Sequence, residues 1–108
     1  MSRRQINEAK QFCESLVPVL EEERARNGSY PDSLQNSWWR GKRVPALIEL
    51  NYLYVKLDHG HGFRLQFENP YALFDNVIAF RSERKGWYEY DANFNKAGWK
   101  PNPPVGDK

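Results

Sequence analysis

The first 27 residues carry apolar side chains at steps of three and four positions. These side chains are Ile6, Ala9, Cys13, Leu16, Val17 and Leu20. The spacing puts them on one face and predicts an α-helix from residue 4 to about residue 27. Pro18 removes a backbone donor, but the stripe keeps its phase across it, so we predict one kinked helix rather than two. Gly28 then ends the helix, because glycine accepts the left-handed backbone found there.

Alternating apolar and polar residues in the second half predict four β-strands, over residues 52–57, 63–68, 76–82 and 87–90. A glycine-rich turn over residues 58–62 makes the first two strands a hairpin. In the first strand, alternation places Leu53, Val55 and Leu57 on one face and Tyr52, Tyr54 and Lys56 on the other. The second strand buries Phe63, Leu65 and Phe67.

These elements predict an α+β fold, with a long N-terminal helix packed on a roughly four-stranded antiparallel sheet. With 108 residues, the chain has enough material for one core. We assign residues 1–92 to this domain and residues 93–108 to a polar, proline-containing C-terminal tail with a frayed end. Four aromatic residues are expected to cover the sheet: Trp87, Tyr88, Tyr90 and Trp99.

The connection between helix and sheet contains two further predicted turns of helix. Pro31 forces the residue before it into an extended conformation. Asp32 or Ser33 then caps a short helical turn that directs Leu34 inward. A second short helix is predicted over residues 44–50, with Pro45 in its first turn.

This connection also holds the most suggestive cluster in the sequence, in which aromatic and basic side chains alternate: Trp38, Trp39, Arg40, Lys42 and Arg43. Such a loop could anchor a protein partner or stack nucleic-acid bases. It could also be purely structural, with one tryptophan closing the sheet edge and the cations in water. Sixteen basic and fourteen acidic residues leave a net charge of only +2, which argues against nucleic acid. The structural interpretation is favoured for the loop itself, and of the two classes of partner we expect a protein and no nucleic acid.

The side chains best suited to catalysis or metal binding lie in poor settings. His59 and His61 share a glycine-rich turn with Asp58, and no other ligand is close in sequence. A solvated turn is the favoured interpretation, and metal binding by the histidines stays open. Cys13 belongs to the apolar helix face, so it is predicted to be a core residue rather than a nucleophile. We accordingly expect no enzyme activity and assign no catalytic, metal or cofactor site.

The segment after the helix resembles a known family. Gly28, Tyr30 and Pro31, followed by Leu34, resemble the helix end of type IV pilins and of the pseudopilins of type II secretion. Downstream, the segments at 62–67, 78–82 and 86–91 look like the hairpin and closing strands of the same globular head. The resemblance covers roughly residues 5–92 and implies a helix packed on an antiparallel sheet of about four strands.

The resemblance also implies a function. It suggests a non-enzymatic pilin-like or pseudopilin-like head with a structural or protein-binding role in a bacterial secretion or surface assembly. Such a head faces the periplasm or the cell surface and reaches the membrane only through an apolar segment upstream of Met1, absent from this sequence. The family's terminal disulfide cannot form with Cys13 alone, and Asp91 and Asp107 are too few for the calcium site of some pseudopilins. Oligomeric state and filament assembly stay open. The alternative is a stand-alone periplasmic interaction protein of the inhibitor or immunity type.

Overall fold

A single long helix opens the chain. The structure, a computed structural model, describes residues 2–72, 76–91 and 98–103. Helix α1 spans Ser2–Asn27 and contains Pro18, so the prediction of one helix rather than two is confirmed. Gly28 follows with φ +86°, and its N–H donates to the Arg24 carbonyl at 2.7 Å. The helix therefore ends at the predicted left-handed glycine.

Five antiparallel strands form one sheet in sequence order, each hydrogen-bonded to the next. They are β1 (Tyr54–Leu57), β2 (Gly62–Asn69), β3 (Asn76–Arg81), β4 (Gly86–Asp91) and β5 (Lys100–Pro101). The predicted α+β fold is confirmed, with one strand more than the four expected. The additional strand β5 pairs with Tyr88 and Glu89 of β4.

The core lies between α1 and one face of this sheet. The predicted helical stripe is buried at Ala9, Cys13, Leu16 and Leu20, and Ile6 and Val17 pack against its border. From the sheet, the predicted alternation in β2 is confirmed, since three side chains are fully buried: Phe63, Leu65 and Phe67. A polar contact also crosses this interface, where the Trp87 indole N–H donates to Glu14 at 2.8 Å.

The predicted faces of β1 are wrong for Tyr54 and Val55. Tyr54 pairs with Leu65, and directly paired residues of antiparallel strands share a face. Tyr54 therefore packs towards the core, with its ring centroid 6.3 Å from that of Phe63, and Val55 lies on the other face. Leu53, on the predicted apolar face, is fully buried. Leu53 and the partly buried Tyr54 can both contact the core because Leu53 precedes the strand, so its side chain need not follow the strand's alternation.

The connection over residues 28–53 contains less helix than predicted. Asp32 caps no helical turn but forms an ion pair with Lys56. The only helix described here is a short 3-10 helix, Asn36–Trp39, and Gln35 before it makes no capping side-chain hydrogen bond. Residues 44–50 form turns, with one hydrogen bond from the Ile48 N–H to the Pro45 carbonyl. A helix of seven residues forms too few hydrogen bonds to offset the free-energy cost of its first turn. Burial of Ile48 decides the local structure instead.

Residues 98–103 contact both faces of the sheet. On the face away from α1, the Trp99 ring lies 4.9 Å from that of Tyr90 and 5.0 Å from the Arg81 guanidinium carbon. This agrees with the expectation that Trp99 covers the sheet. On the helix side, the Lys10 ammonium donates to the Asn102 side chain and, at 2.6 Å, to the Pro103 carbonyl. The expected frayed end, residues 104–108, lies outside the described residues.

Candidate functional site

The two neighbouring tryptophans lie on the 3-10 helix Asn36–Trp39, and both are partly buried against the core. The ring centroid of Trp39 is 6.1 Å from that of Phe12 on α1, with the planes tilted by 56°. This is the separation at which aromatic pairs attract each other. Trp39 therefore holds the start of the loop against α1, and Trp38 packs beside it against the core.

The three cations after the tryptophans remain in water. Arg40, Lys42 and Arg43 are all exposed. Gly41 between them has φ +81°, and the Lys42 N–H donates to the Trp39 carbonyl at 2.9 Å, so the backbone turns tightly here. We call residues 38–43 the Trp-Arg loop. In the structure, the two tryptophans anchor this loop and the three exposed cations give it a positively charged surface.

A surface pocket of about 300 Å³ adjoins this loop. Its apolar walls are Leu34, Trp39, Leu50 and Tyr54, so it joins the loop to the start of β1. The Tyr54 hydroxyl donates to the Pro31 carbonyl at 2.6 Å, which fixes one wall. Burial is the main reason that the pKa of Tyr54 is raised to about 12, and the negative charge of Asp32 adds to it.

The remaining lining of the pocket is polar: Asp32, Ser33, Asn36 and Asn51. The ion pair with Lys56 holds the pKa of Asp32 below its usual range, so the carboxylate is ionised at neutral pH and its charge is balanced. Sequence reasoning missed this pocket because its two halves, residues 32–39 and 50–54, have no common local pattern. Only the fold of the connection brings them together.

The residues that carry the family resemblance have structural roles. Tyr30 is buried, with its ring edge-on to Phe63 at 4.8 Å between centroids. Its hydroxyl donates to Glu21 at 2.8 Å, and its N–H donates to the Gly60 carbonyl at 2.8 Å. Burial, followed by the hydrogen bond to Glu21, raises the pKa of Tyr30. Pro31 accepts from Tyr54 as described above, and Leu34 packs against the core. Together these contacts join the helix end to the β1–β2 hairpin.

The candidate chemical groups of the sequence lie apart from this pocket. The Cys13 side chain is fully buried, and burial, with the nearby charge of Glu14, raises the pKa of its thiol. Such a thiol is poorly reactive. His59 and His61 are both exposed in the turn between β1 and β2. Among the side chains that the structure describes, no three metal-binding groups cluster.

Membrane contact was expected only through an upstream segment. Within the part of the chain that the structure describes, no helix combines the length and apolarity needed to cross a bilayer.

Comparison with known proteins gave no match to this chain among family models, curated proteins or solved structures. The resemblance to pilins and pseudopilins therefore stays a prediction from the sequence.

Proposed function

We propose that this chain is a non-catalytic head domain that binds a protein partner through the Trp-Arg loop, within a bacterial secretion or surface assembly of the pilin type. The observation that carries the proposal is the construction of the loop. Partly buried Trp38 and Trp39 anchor it, while Arg40, Lys42 and Arg43 are exposed beside a pocket. Tryptophan and arginine are the residues most enriched among those that dominate binding energy at protein interfaces.

The order of elements supports the family part of this proposal. One N-terminal helix, a connection of 26 residues and an antiparallel meander follow each other, as the resemblance to pilin heads implies. The charge of the loop indicates the partner's chemistry. Three exposed cations lie within four positions, so the partner surface is expected to be acidic and association to weaken with added salt.

Site-specific photo-crosslinking in the source cells would test the proposal. A photoreactive amino acid replaces Arg40 in the loop or, as a control, the exposed Glu22 on α1. We expect the loop position alone to crosslink one abundant partner. If that partner belongs to a membrane-anchored secretion or surface assembly, the pilin-type role is supported. A single soluble enzyme or toxin as the partner would support the alternative, an inhibitor or immunity protein. Equal crosslinking from both positions would contradict the proposed surface.

The purified partner then allows a matched charge reversal. The double variant Arg40→Glu with Lys42→Glu should weaken binding by about tenfold or more, since opposed charges replace attraction. The control, Arg84→Glu with Lys85→Glu, changes one arginine and one lysine that are equally exposed in the β3–β4 turn. The control should bind as the unchanged chain does. Equal loss in both variants would mean that net charge, rather than the loop, determines affinity.

A further inference from the structure

The pocket beside the Trp-Arg loop has a lining that selects for a particular class of small molecule. Its volume of about 300 Å³ is at the lower end of the range of ligand pockets, so it has room for one small ligand or the end of a longer one. Trp39 and Tyr54 supply aromatic surface, and four polar side chains supply hydrogen-bonding groups. The aromatic set and the polar set each restrict which ligand can bind.

Of the four polar side chains, Asp32 pairs with Lys56, and the other three make no hydrogen bond within the described part of the chain. These three, Ser33, Asn36 and Asn51, are exposed. A hydroxyl and two primary amides together offer both donors and acceptors. An apolar ligand would desolvate these groups without replacing their hydrogen bonds, which makes such a ligand unfavourable.

The charge of the pocket disfavours ionic ligands. Asp32 is ionised but already pairs with Lys56, so the lining offers no unpaired charge to an ionic ligand. A neutral ligand that both donates and accepts hydrogen bonds therefore fits the charges and polar groups of this pocket best. Hydroxyl groups do both, and a carboxylate such as Asp32 is a strong acceptor for them.

The indole of Trp39 adds a requirement for an apolar surface on the same ligand. Its ring packs against Phe12, with 6.1 Å between the ring centroids, so Trp39 is supported from the core side. The negative face of an aromatic ring attracts weakly positive C–H groups. A pyranose ring has C–H groups on its faces and hydroxyl groups around its edge.

We propose that this pocket binds a neutral saccharide, with Trp39 stacking on the ring and Asp32, Asn36 and Asn51 binding its hydroxyl groups. The pocket polar groups are distinct from the cations assigned to the protein partner. Saccharide binding by the pocket and partner binding by the cations can therefore be tested, and refuted, independently.

The test is a ¹H–¹⁵N NMR titration of the full chain with methyl glycosides of glucose, galactose, mannose and N-acetylglucosamine. A small open site of this kind should bind with a Kd on the order of 1 mM, so sugar is added to about 50 mM. At least one sugar should shift the Trp39 indole N–H and the amides of Asn36 and Asn51. Di- and trisaccharides of that sugar follow: tighter binding identifies the end of a glycan as ligand, and equal affinity identifies the free sugar.

Two conservative variants make the result specific. Asn36→Ala and Asn51→Ala should each weaken sugar binding about three- to tenfold, as expected for loss of one neutral hydrogen bond. Gln11→Ala, an exposed amide on α1, is the control and should bind unchanged. Absence of shifts for the whole panel at the highest concentration would overturn the proposal. So would an unchanged Kd in both asparagine variants.

Discussion

Replacing Lys10 by methionine should test how the C-terminal segment is held. Lys10 is only 2% exposed, which is unusual for a lysine side chain. Its ammonium donates to the Asn102 side chain and to the Pro103 carbonyl, and lies 5.6 Å from the centre of the Trp87 ring. Methionine has a similar length, so Lys10→Met removes the donors and the charge without leaving a large cavity.

The magnitude follows from opposing contributions. Each hydrogen bond from a charged donor contributes about 1.5–3 kcal/mol, and a desolvated cation–π contact about 2 kcal/mol. Removing them costs roughly 5–8 kcal/mol before compensation. The variant no longer has to desolvate an ammonium, which returns several kcal/mol. We expect a net destabilisation of about 2 kcal/mol, which for a chain of this size lowers the Tm by roughly 8 °C.

Urea unfolding followed by circular dichroism measures the total effect, and amide hydrogen exchange locates it. The Asn102 N–H donates to the Trp87 carbonyl at 2.9 Å, so its exchange should accelerate when the segment is released. Lys42→Met is the matched control, because Lys42 is exposed, and it should change stability by less than about 0.5 kcal/mol. Unchanged stability together with unchanged exchange at Asn102 would refute the reasoning, since the Lys10 contacts would then contribute nothing net.

Four further predictions concern single residues. Gly28→Ala should destabilise by about 1 kcal/mol in urea unfolding, because φ is +86° but the space around it is open. Gly60→Ala should destabilise more, by about 2 kcal/mol or above, since φ is +93° and the new methyl would lie 2.8 Å from a Ser29 carbon. A larger loss of stability in Gly28→Ala than in Gly60→Ala would contradict the role given to this close contact. The Cys13 thiol should react with Ellman's reagent only in denaturant, and stoichiometric labelling of folded protein would show that it is accessible. Tyr54 has a pKa raised from 10.0 to about 12, so folding favours its protonated form. The contribution of the Tyr54 hydroxyl to stability is complete below pH 10 and is lost as pH rises towards 12. Between these pH values, the unfolding free energy of Tyr54→Phe should therefore fall less than that of the unchanged chain.

Much of the architecture was predictable because local periodicity determines which side of an element is apolar. The stripe through Leu16 and Leu20 has the helical period, and the alternation at Phe63 and Phe67 has the strand period. Gly28 marks the helix end by a backbone preference that needs no distant contact. In each case the residues that form the pattern belong to the same helix turn or strand whose structure they predict.

The candidate site was only partly predictable. The Trp-Arg loop is visible as a run of unusual residues, and the sequence left a structural and a binding interpretation open. The structure shows partly buried tryptophans and exposed cations, but the pocket beside them depends on Leu50 and Asn51, which no local pattern links to Trp39.

By itself, the sequence determined helix α1, the first four strands with the hairpin of β1 and β2, and the buried face of β2. Tertiary structure alone decided that Tyr54 rather than Val55 faces the core, and that the polar side chain of Lys10 is buried under the C-terminal segment. The physical reason is range. Periodicity acts between neighbours along the chain, whereas strand register and hydrogen bonds such as Lys10 to Pro103 depend on residues far away in sequence that only the folded chain brings within reach.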